Sequence, residues 1–241
     1  MSRGIDVSKH QGNINWPTVA KNVDFALLRL GYRGYGAAGT LQLDECFLAN
    51  IQGAVAAKIP IGIYFFSQAI NAAEGREEAE FCIKHLKGHK LLYPVYFDAE
   101  YSSEKNHKGR ADNISKEART AAAKAFCETM EKAGYYAGVY TYTFFARDNK
   151  IDYSALATDY AMWLADYRED YDSVLPRGMH QYTGSGSCPG IVGDVDWNNC
   201  FVDYPTAIKN AGLSGWAVQD SYKEKYEKLI NDIKALISKY E

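Results

Sequence analysis

Short runs of apolar and β-branched residues alternate along the chain with segments whose apolar positions recur every three or four residues. The runs are 4–7, 25–30, 59–66, 93–97, 136–142, 162–165, 179–182 and 191–197. Their length, composition and bounding polar residues predict eight β-strands. Helices are predicted between them over 44–58, 73–86 and 115–133. The last carries the fullest set of signals. Ser115 can cap its first turn, apolar residues recur at Ala118, Ala122, Ala125, Phe126, Thr129 and Met130, and Gly134 follows as a stop. Strand and helix alternate through the first two thirds, which implies a largely parallel sheet, and eight strands in one domain suggest a closed barrel. The later strands follow one another through short loops. The expected architecture is an irregular β/α (TIM-like) barrel with eight strands and fewer than eight helices.

After Pro205 the pattern changes. Gly212, Ser214 and Gly215 lead into a Lys/Glu-rich segment from Tyr222 to Glu241, in which Tyr226, Leu229, Ile233, Leu236 and Tyr240 step by three and four. Such a stripe predicts a helix with one apolar face to bury. Residues 1–204 therefore read as the barrel and residues 205–241 as a linker and amphipathic helix, either docked on the barrel or engaged in self-association.

The 241 residues, 47% hydrophobic and 24% charged, have the make-up of a folded domain with a sizeable core and exclude a mainly disordered chain. Lys and Arg total 27 against 30 Asp and Glu, a net charge of −3. No overall positive field exists to hold nucleic acid or an anionic membrane, so neither is an expected partner. The amino terminus runs from Met1 into Gly4-Ile5-Asp6-Val7 without a charged leader or an apolar core, so no secretion signal is expected. The five cysteines, Cys46, Cys82, Cys127, Cys188 and Cys200, form no CxxC and no regular Cys/His spacing, which argues against a zinc site and a full disulfide framework. Cys82 and Cys127 fall in helical apolar patterns, where a free thiol acts as a small hydrophobe. Cys188 and Cys200 are near enough in sequence to leave one bridge open. The compositional excess is aromatic, 14% with 19 Tyr, which suits sugar recognition as well as core packing.

The sharpest chemical feature is Tyr93-Pro94-Val95-Tyr96-Phe97-Asp98-Ala99-Glu100, an apolar strand that ends in two carboxylates two positions apart. Alternate side chains of a strand share a face, so Asp98 and Glu100 should project together from its carboxyl end. That end is where β/α barrels carry their active sites. Repulsion and partial burial favour one protonated member, able to serve as an acid. A bare pair of this kind also reads as a helix cap or a surface pair. Three further acids close apolar runs: Asp6 after Gly4-Ile5, Asp166 after Met162-Trp163-Leu164-Ala165, and Asp196 in Gly193-Asp194-Val195-Asp196-Trp197-Asn198. Each alone reads as a loop cap. Four strand ends delivering carboxylates to one mouth suit glycoside hydrolysis, in which an acid protonates the leaving oxygen while negative charge supports an oxocarbenium-like centre. Arg29, inside an apolar run, needs a buried partner, and a carboxylate near the mouth is expected.

At this point an ordered series of motifs resembles glycoside hydrolase family 25, the lysozymes or N-acetylmuramidases of bacteria and phage endolysins. The series is Gly4-Ile5-Asp6-Val7-Ser8 with Gln11-Gly12 and Ile14-Asn15-Trp16, Arg29-Leu30-Gly31-Tyr32, Ile61-Gly62-Ile63-Tyr64-Phe65-Phe66, the Asp98/Glu100 strand, Val139-Tyr140-Thr141-Tyr142, Met162 to Tyr167, Gln181-Tyr182-Thr183 and Val195-Asp196-Trp197-Asn198. It covers residues 3 to 203. The resemblance implies hydrolysis of the β-1,4 bond from N-acetylmuramic acid to N-acetylglucosamine in bacterial peptidoglycan, without a cofactor or metal. It maps the acid/base glutamate onto Glu100, the other catalytic acids onto Asp98, Asp6 and Asp196, and the sugar groove onto Tyr64, Tyr140, Trp163 and Gln181. Arg29 and Asp166 join the groove as substrate-binding candidates from their place at the mouth. The pair Phe65-Phe66, where many members have His-Phe, and Trp197, at an often aliphatic position, depart from the pattern.

Two other readings share these residues. One is a barrel that holds glycan without cutting it. The other is a metal-dependent hydrolase in which Asp6, Asp98, Glu100 and Asp196 supply oxygen ligands to Mg²⁺ or Ca²⁺. For a lysozyme without a leader, the expected location is the host cytoplasm until release to the wall, or the cell exterior after leaderless export.

Overall fold

All eight expected runs become strands of one closed sheet. The computed structural model describes residues 1–103, 107–170, 174–217, 229–230 and 233. Its strands are β1 (Ser2–Val7), β2 (Phe25–Arg33), β3 (Leu41–Leu43), β4 (Ile61–Phe66), β5 (Val95–Asp98), β6 (Ala137–Tyr142), β7 (Ala161–Ala165), β8 (Met179–Gly186) and β9 (Val195–Cys200). The order β1-β9-β8-β7-β6-β5-β4-β2 returns to β1 through a β1–β2 pairing, so eight strands form the ring and β3 hangs on β2 outside it. Neighbours in the ring are parallel except around β9, which runs antiparallel to both β1 and β8.

The described residues contain seven α-helices: α1 (Trp16–Val19), α2 (Phe47–Ala56), α3 (Ala72–Leu86), α4 (Lys116–Lys132), α5 (Thr143–Arg147), α6 (Tyr153–Asp159) and α7 (Tyr204–Ala211). The strongest prediction holds in detail: the Ser115 side chain accepts from Ala118 N at the start of α4, and Gly134 follows at φ 83°. The helix expected from Asp44 starts at Phe47, because Asp44 faces inward as an ion-pair partner. The last strand, expected over 191–197, is displaced to Val195–Cys200, since Gly190 and Gly193 both hold positive φ ahead of it. The short α1, α5 and α6 carry too few turns for an apolar stripe to be legible. Pro205, a break in the sequence pattern, sits in the first turn of α7, where a missing N–H costs nothing.

Side-chain parity splits the core in two. Ile63, Phe65, Val95, Phe97, Val139 and Leu164 point outward into the layer beneath the helices, where Phe126 of α4 meets Phe97 at 5.4 Å between ring centroids. Leu27, Tyr64, Tyr96, Tyr140, Trp163 and Met179 fill the barrel itself. All five cysteines are free thiols. Cys188 belongs to the outer layer and Cys200 to the interior, so the bridge left open between them is not formed. Beyond α7 the chain still packs on the foot of the barrel: Ser214 Oγ accepts from Tyr136 N, and Trp216 Nε1 donates to the Leu91 carbonyl. Of the apolar stripe expected from Tyr226 to Tyr240, Leu229 and Ile233 are described; the rest lies outside the described residues.

Gly138 shows how tightly the interior is filled. A Cβ there would come within 2.6 Å of both the Tyr96 ring and the Ala161 carbonyl oxygen. Gly138→Ala is expected to cost about 1–3 kcal/mol, the usual penalty of overpacking. Urea denaturation measures it, and an unchanged midpoint would show that the interior gives way.

Candidate active site

The same parity that fills the barrel brings the acids to its mouth. On β5, Tyr96 packs inside, and Asp98 follows on its side at the carboxyl end, 3% exposed. On β1 and β9 the outward residues are Ile5, Val7, Val195 and Trp197, which leaves Asp6, Asp196 and Asn198 facing in. The antiparallel register sets Asp6 directly opposite Asp196, and the two carboxyl groups are hydrogen-bonded to each other. Glu100 lies two residues beyond Asp98, as expected, at the rim. Its charge reaches Asp98.

An amide network holds the buried acids. Asp6 Oδ2 accepts from Asn198 Nδ2 at 2.7 Å and from Gln181 Nε2 at 2.9 Å. The far end of the Asn198 amide accepts from Trp163 Nε1 at 2.7 Å. Gln181 Oε1 accepts from the hydroxyls of Tyr140 at 2.9 Å and Tyr167 at 2.7 Å. Burial raises Asp6, and the hydrogen bonds from Asn198 and Gln181 pull it back. Asp196 is pushed up to about 9 by burial and by the charge of Asp6. Asp196 therefore holds its proton across the neutral range, beside Asp6. Burial, then the charges of Glu100 and Asp6, raises Asp98 well above the usual carboxylate range, while the Arg29 guanidinium offsets part of the rise. Asp98 Oδ1 is buried and accepts no hydrogen bond from the described residues.

Two cavities meet at Glu100. One, of about 410 Å³, lies over Asp6, Asp98 and Asp196 and is lined by Arg29, Tyr64, Trp163 and Gln181. The other, of about 430 Å³, is bounded by Tyr142, Phe144, Asp166 and Arg168. Glu100, Tyr101, Tyr140 and Tyr167 belong to both walls. A larger cavity of about 650 Å³ opens at the foot, but its acids, Glu131 and Asp159, come from α4 and α6 rather than from strand ends. The chemistry is thus concentrated at the mouth.

The structure places each expected residue. Tyr64 and Tyr140 lie against the Trp163 indole, with ring centroids 5.8 and 4.4 Å away; Trp163, 1% exposed, is a floor rather than an open stacking face. Arg29 finds its carboxylate in Asp44, at 2.7 Å and fully buried. Asp166 lies in the second cavity and is held by Arg168 through contacts of 2.8 and 2.6 Å. Among the described residues, no group of three or more His, Cys, Asp and Glu side chains is arranged to hold a metal ion.

Comparison with known proteins fits this geometry. The profile of the glycosyl hydrolases family 25 matches residues 5–191. The chain belongs to that family. It is 26% identical over 196 residues to the autolytic lysozyme of Clostridium acetobutylicum, an alignment covering 80% of this chain and 54% of that protein. The modular autolysin LytC of Streptococcus pneumoniae, solved in complex with a synthetic peptidoglycan ligand, superposes with a TM-score of 0.70 at 28% identity, over 82% of this chain and 46% of LytC. A bacterial lysozyme from Streptomyces coelicolor shares the fold at 22% identity, with a TM-score of 0.71 over 88% of this chain and 96% of that one. The chain spans about half the length of the first two.

Several residues of this family 25 site were not singled out from the sequence. Asn198 could have been found, because it stands two positions after Asp196 and shares its inward face. Tyr167 and Tyr101 follow strand ends and only tertiary contacts bring them to the wall. Asp112 gave no local signal; it accepts from Ser102 N, Ser102 Oγ and Gly109 N at 2.8, 2.6 and 2.7 Å, clasping the loop that follows Glu100.

The proton on Asp196 has a measurable consequence. Asp196 is raised in the folded state above its unfolded value of 3.8, so the native protein holds a proton that the unfolded chain releases. Stability should fall as pH rises between about 4 and about 9. Asp196→Asn, whose amide can donate permanently, should show a shallower slope, with the remainder coming from the other raised carboxyls, Asp98 and Glu78. Urea melts across that range test it; parallel curves for the two proteins would mean that the pair holds no extra proton.

Proposed function

We propose that the protein hydrolyses the β-1,4 bond between N-acetylmuramic acid and N-acetylglucosamine in bacterial peptidoglycan, with retention of configuration. The observation that carries this reading is Glu100 standing in the wall shared by two cavities, with Asp98 buried beneath one of them. A glycosidase must hold sugar on both sides of the scissile bond and reach its oxygen from the junction. Family membership, a lysozyme relative and a peptidoglycan-bound neighbour support the choice of polymer.

In this mechanism the sugar that keeps its anomeric carbon lies in the cavity over Asp98, and the leaving sugar lies in the cavity bounded by Tyr142, Phe144 and Arg168. Glu100 donates its proton to the bridging oxygen as that bond breaks. Asp98 either attacks the anomeric carbon or polarises the substrate's 2-acetamido group so that its carbonyl oxygen attacks. In the second step Glu100, now a carboxylate, takes a proton from a water whose oxygen attacks the anomeric carbon and displaces Asp98 or the acetamido oxygen, and the anomeric configuration is restored. Asp6 and Asp196 place a single net negative charge near the developing cation. The buried Asp98 must be ionised to act, so its raised affinity for protons puts the acid limb of the rate profile above the usual carboxylate range.

Incubation with purified walls should liberate new reducing ends that are N-acetylmuramic acid; N-acetylglucosamine ends alone would defeat the muramidase reading and spare the glycosidase one. Glu100→Gln should lower turnover by roughly 10² to 10⁴-fold, and a substrate with a very good leaving group should recover part of the first step. Asp98→Asn should gain little from that substrate, because attack at the anomeric carbon is required whatever departs. Equal recovery in both variants would return the pair to a structural role.

A further inference from the structure

Asn198 is fully buried, and both ends of its amide are engaged. An indole N–H can only donate. Trp163 Nε1 therefore fixes Oδ1 as the end that faces it and turns Nδ2 toward Asp6. Gln181 is less constrained, since the hydroxyls of Tyr140 and Tyr167 can donate or accept. Asp6 Oδ2 thus receives one donor whose direction is dictated from behind, and the Asp6 carboxyl lies directly across the strands from Asp196.

We propose that Asn198 is a positioning residue for catalysis: clamped by Trp163, it orients the Asp6 carboxylate and assigns the single proton of the Asp6–Asp196 pair to Asp196. This rests on the glycosidase reading given above. With two amide donors converging on Asp6 Oδ2, negative charge is favoured on Asp6, and the proton on Asp196 points back at it. The arrangement sets where the negative charge lies relative to Asp98. The charged and titratable groups lining the cavity around Asp6 are Asp196 on β9, Asp98 and Glu100 at the end of β5, Arg29 on β2, Tyr64 on β4 and Tyr140 on β6, with His10, Tyr35, Tyr101 and Tyr167 from the connecting segments.

Asn198→Asp tests the assignment, because it keeps shape and the acceptor for Trp163 but replaces the donor to Asp6 with an acceptor. In the free protein, carbon-13 NMR of labelled aspartate carboxyls should show Asp6 taking up a proton at higher pH in the variant than in the wild type. On a soluble oligosaccharide, kcat should fall by roughly 10²-fold, the scale of a small misplacement at a reacting centre, with KM changed by less than about threefold. The acid limb of kcat should move to higher pH. Trp163→Phe, which removes the donor behind Asn198 together with part of the ring packed on Tyr64 and Tyr140, should shift Asp6 in the same direction by less, and its titration carries the test if Asn198→Asp fails to fold. Unchanged Asp6 titration in the folded variants, or a fall in activity that merely tracks lost stability, would overturn the proposal. The titration needs no substrate, so failure of the muramidase reading would show separately, as an inactive wild type with the Asp6 shift intact.

Discussion

Desolvated negative charge is the constraint around which the mouth of this barrel is organised. Asp6 and Asp98 are almost wholly buried, and Asp196 and Glu100 adjoin them. Bringing a carboxylate out of water costs several kcal/mol unless donors or opposite charge replace the lost hydration. The structure answers in two ways: Asn198 and Gln181 donate to Asp6, and the proton on Asp196 lets Asp6 and Asp196 touch. Of these mouth acids, Asp98 keeps a buried oxygen, Oδ1, without a donor among the described residues. That is the acid whose ionised form the proposed reaction uses.

The antiparallel strand β9 makes the arrangement feasible. In a fully parallel barrel the carboxyl end of every strand meets the mouth, and a last strand would offer its own terminus there. Reversed, β9 passes the mouth near its start, so Asp196 faces Asp6 and Asn198 follows one layer down beside Trp163. Beneath them the axis is filled mostly by rings, with Leu27 and Met179 between them. Tyr140 and Trp163 can pack against one another and still offer a hydroxyl and an indole N–H to the amides above.

Positive charge is kept one step away from the acids. Arg29 lines the cavity but is tied to Asp44, which also accepts from the backbone N–H groups of Lys9 and Cys46. Its field reaches Asp98 without forming the close pair that would hold Asp98 low. Arg33, on the same strand, joins Glu78 at 2.8 Å and anchors α3, and the Glu78 carboxyl is pushed up to about 7 chiefly by burial. Arg110 joins Glu74 and the Gln68 carbonyl, and Asp112 accepts from both Ser102 and Gly109 behind Glu100.

The sequence by itself determined what local periodicity can encode. Eight strands, the three long helices and the inward face shared by Asp98 and Glu100 follow from alternation, caps and spacing, because those signals act between residues a few positions apart. Family membership was legible for the same reason, as a series of short motifs in order. The fine structure was not. Helices of one or two turns carry too little pattern, the start of β9 depended on two glycines at positive φ, and Asp44 was hidden inside a predicted helix. Tertiary structure alone decided which polar groups meet: the Asp6–Asp196 contact, the Asp44 partner of Arg29 and the path from Trp163 through Asn198 to Asp6 join residues separated by up to 192 positions. Charge states at the mouth follow from those meetings, since burial and hydrogen bonding across the closed ring, rather than residue type, set which carboxyl holds a proton.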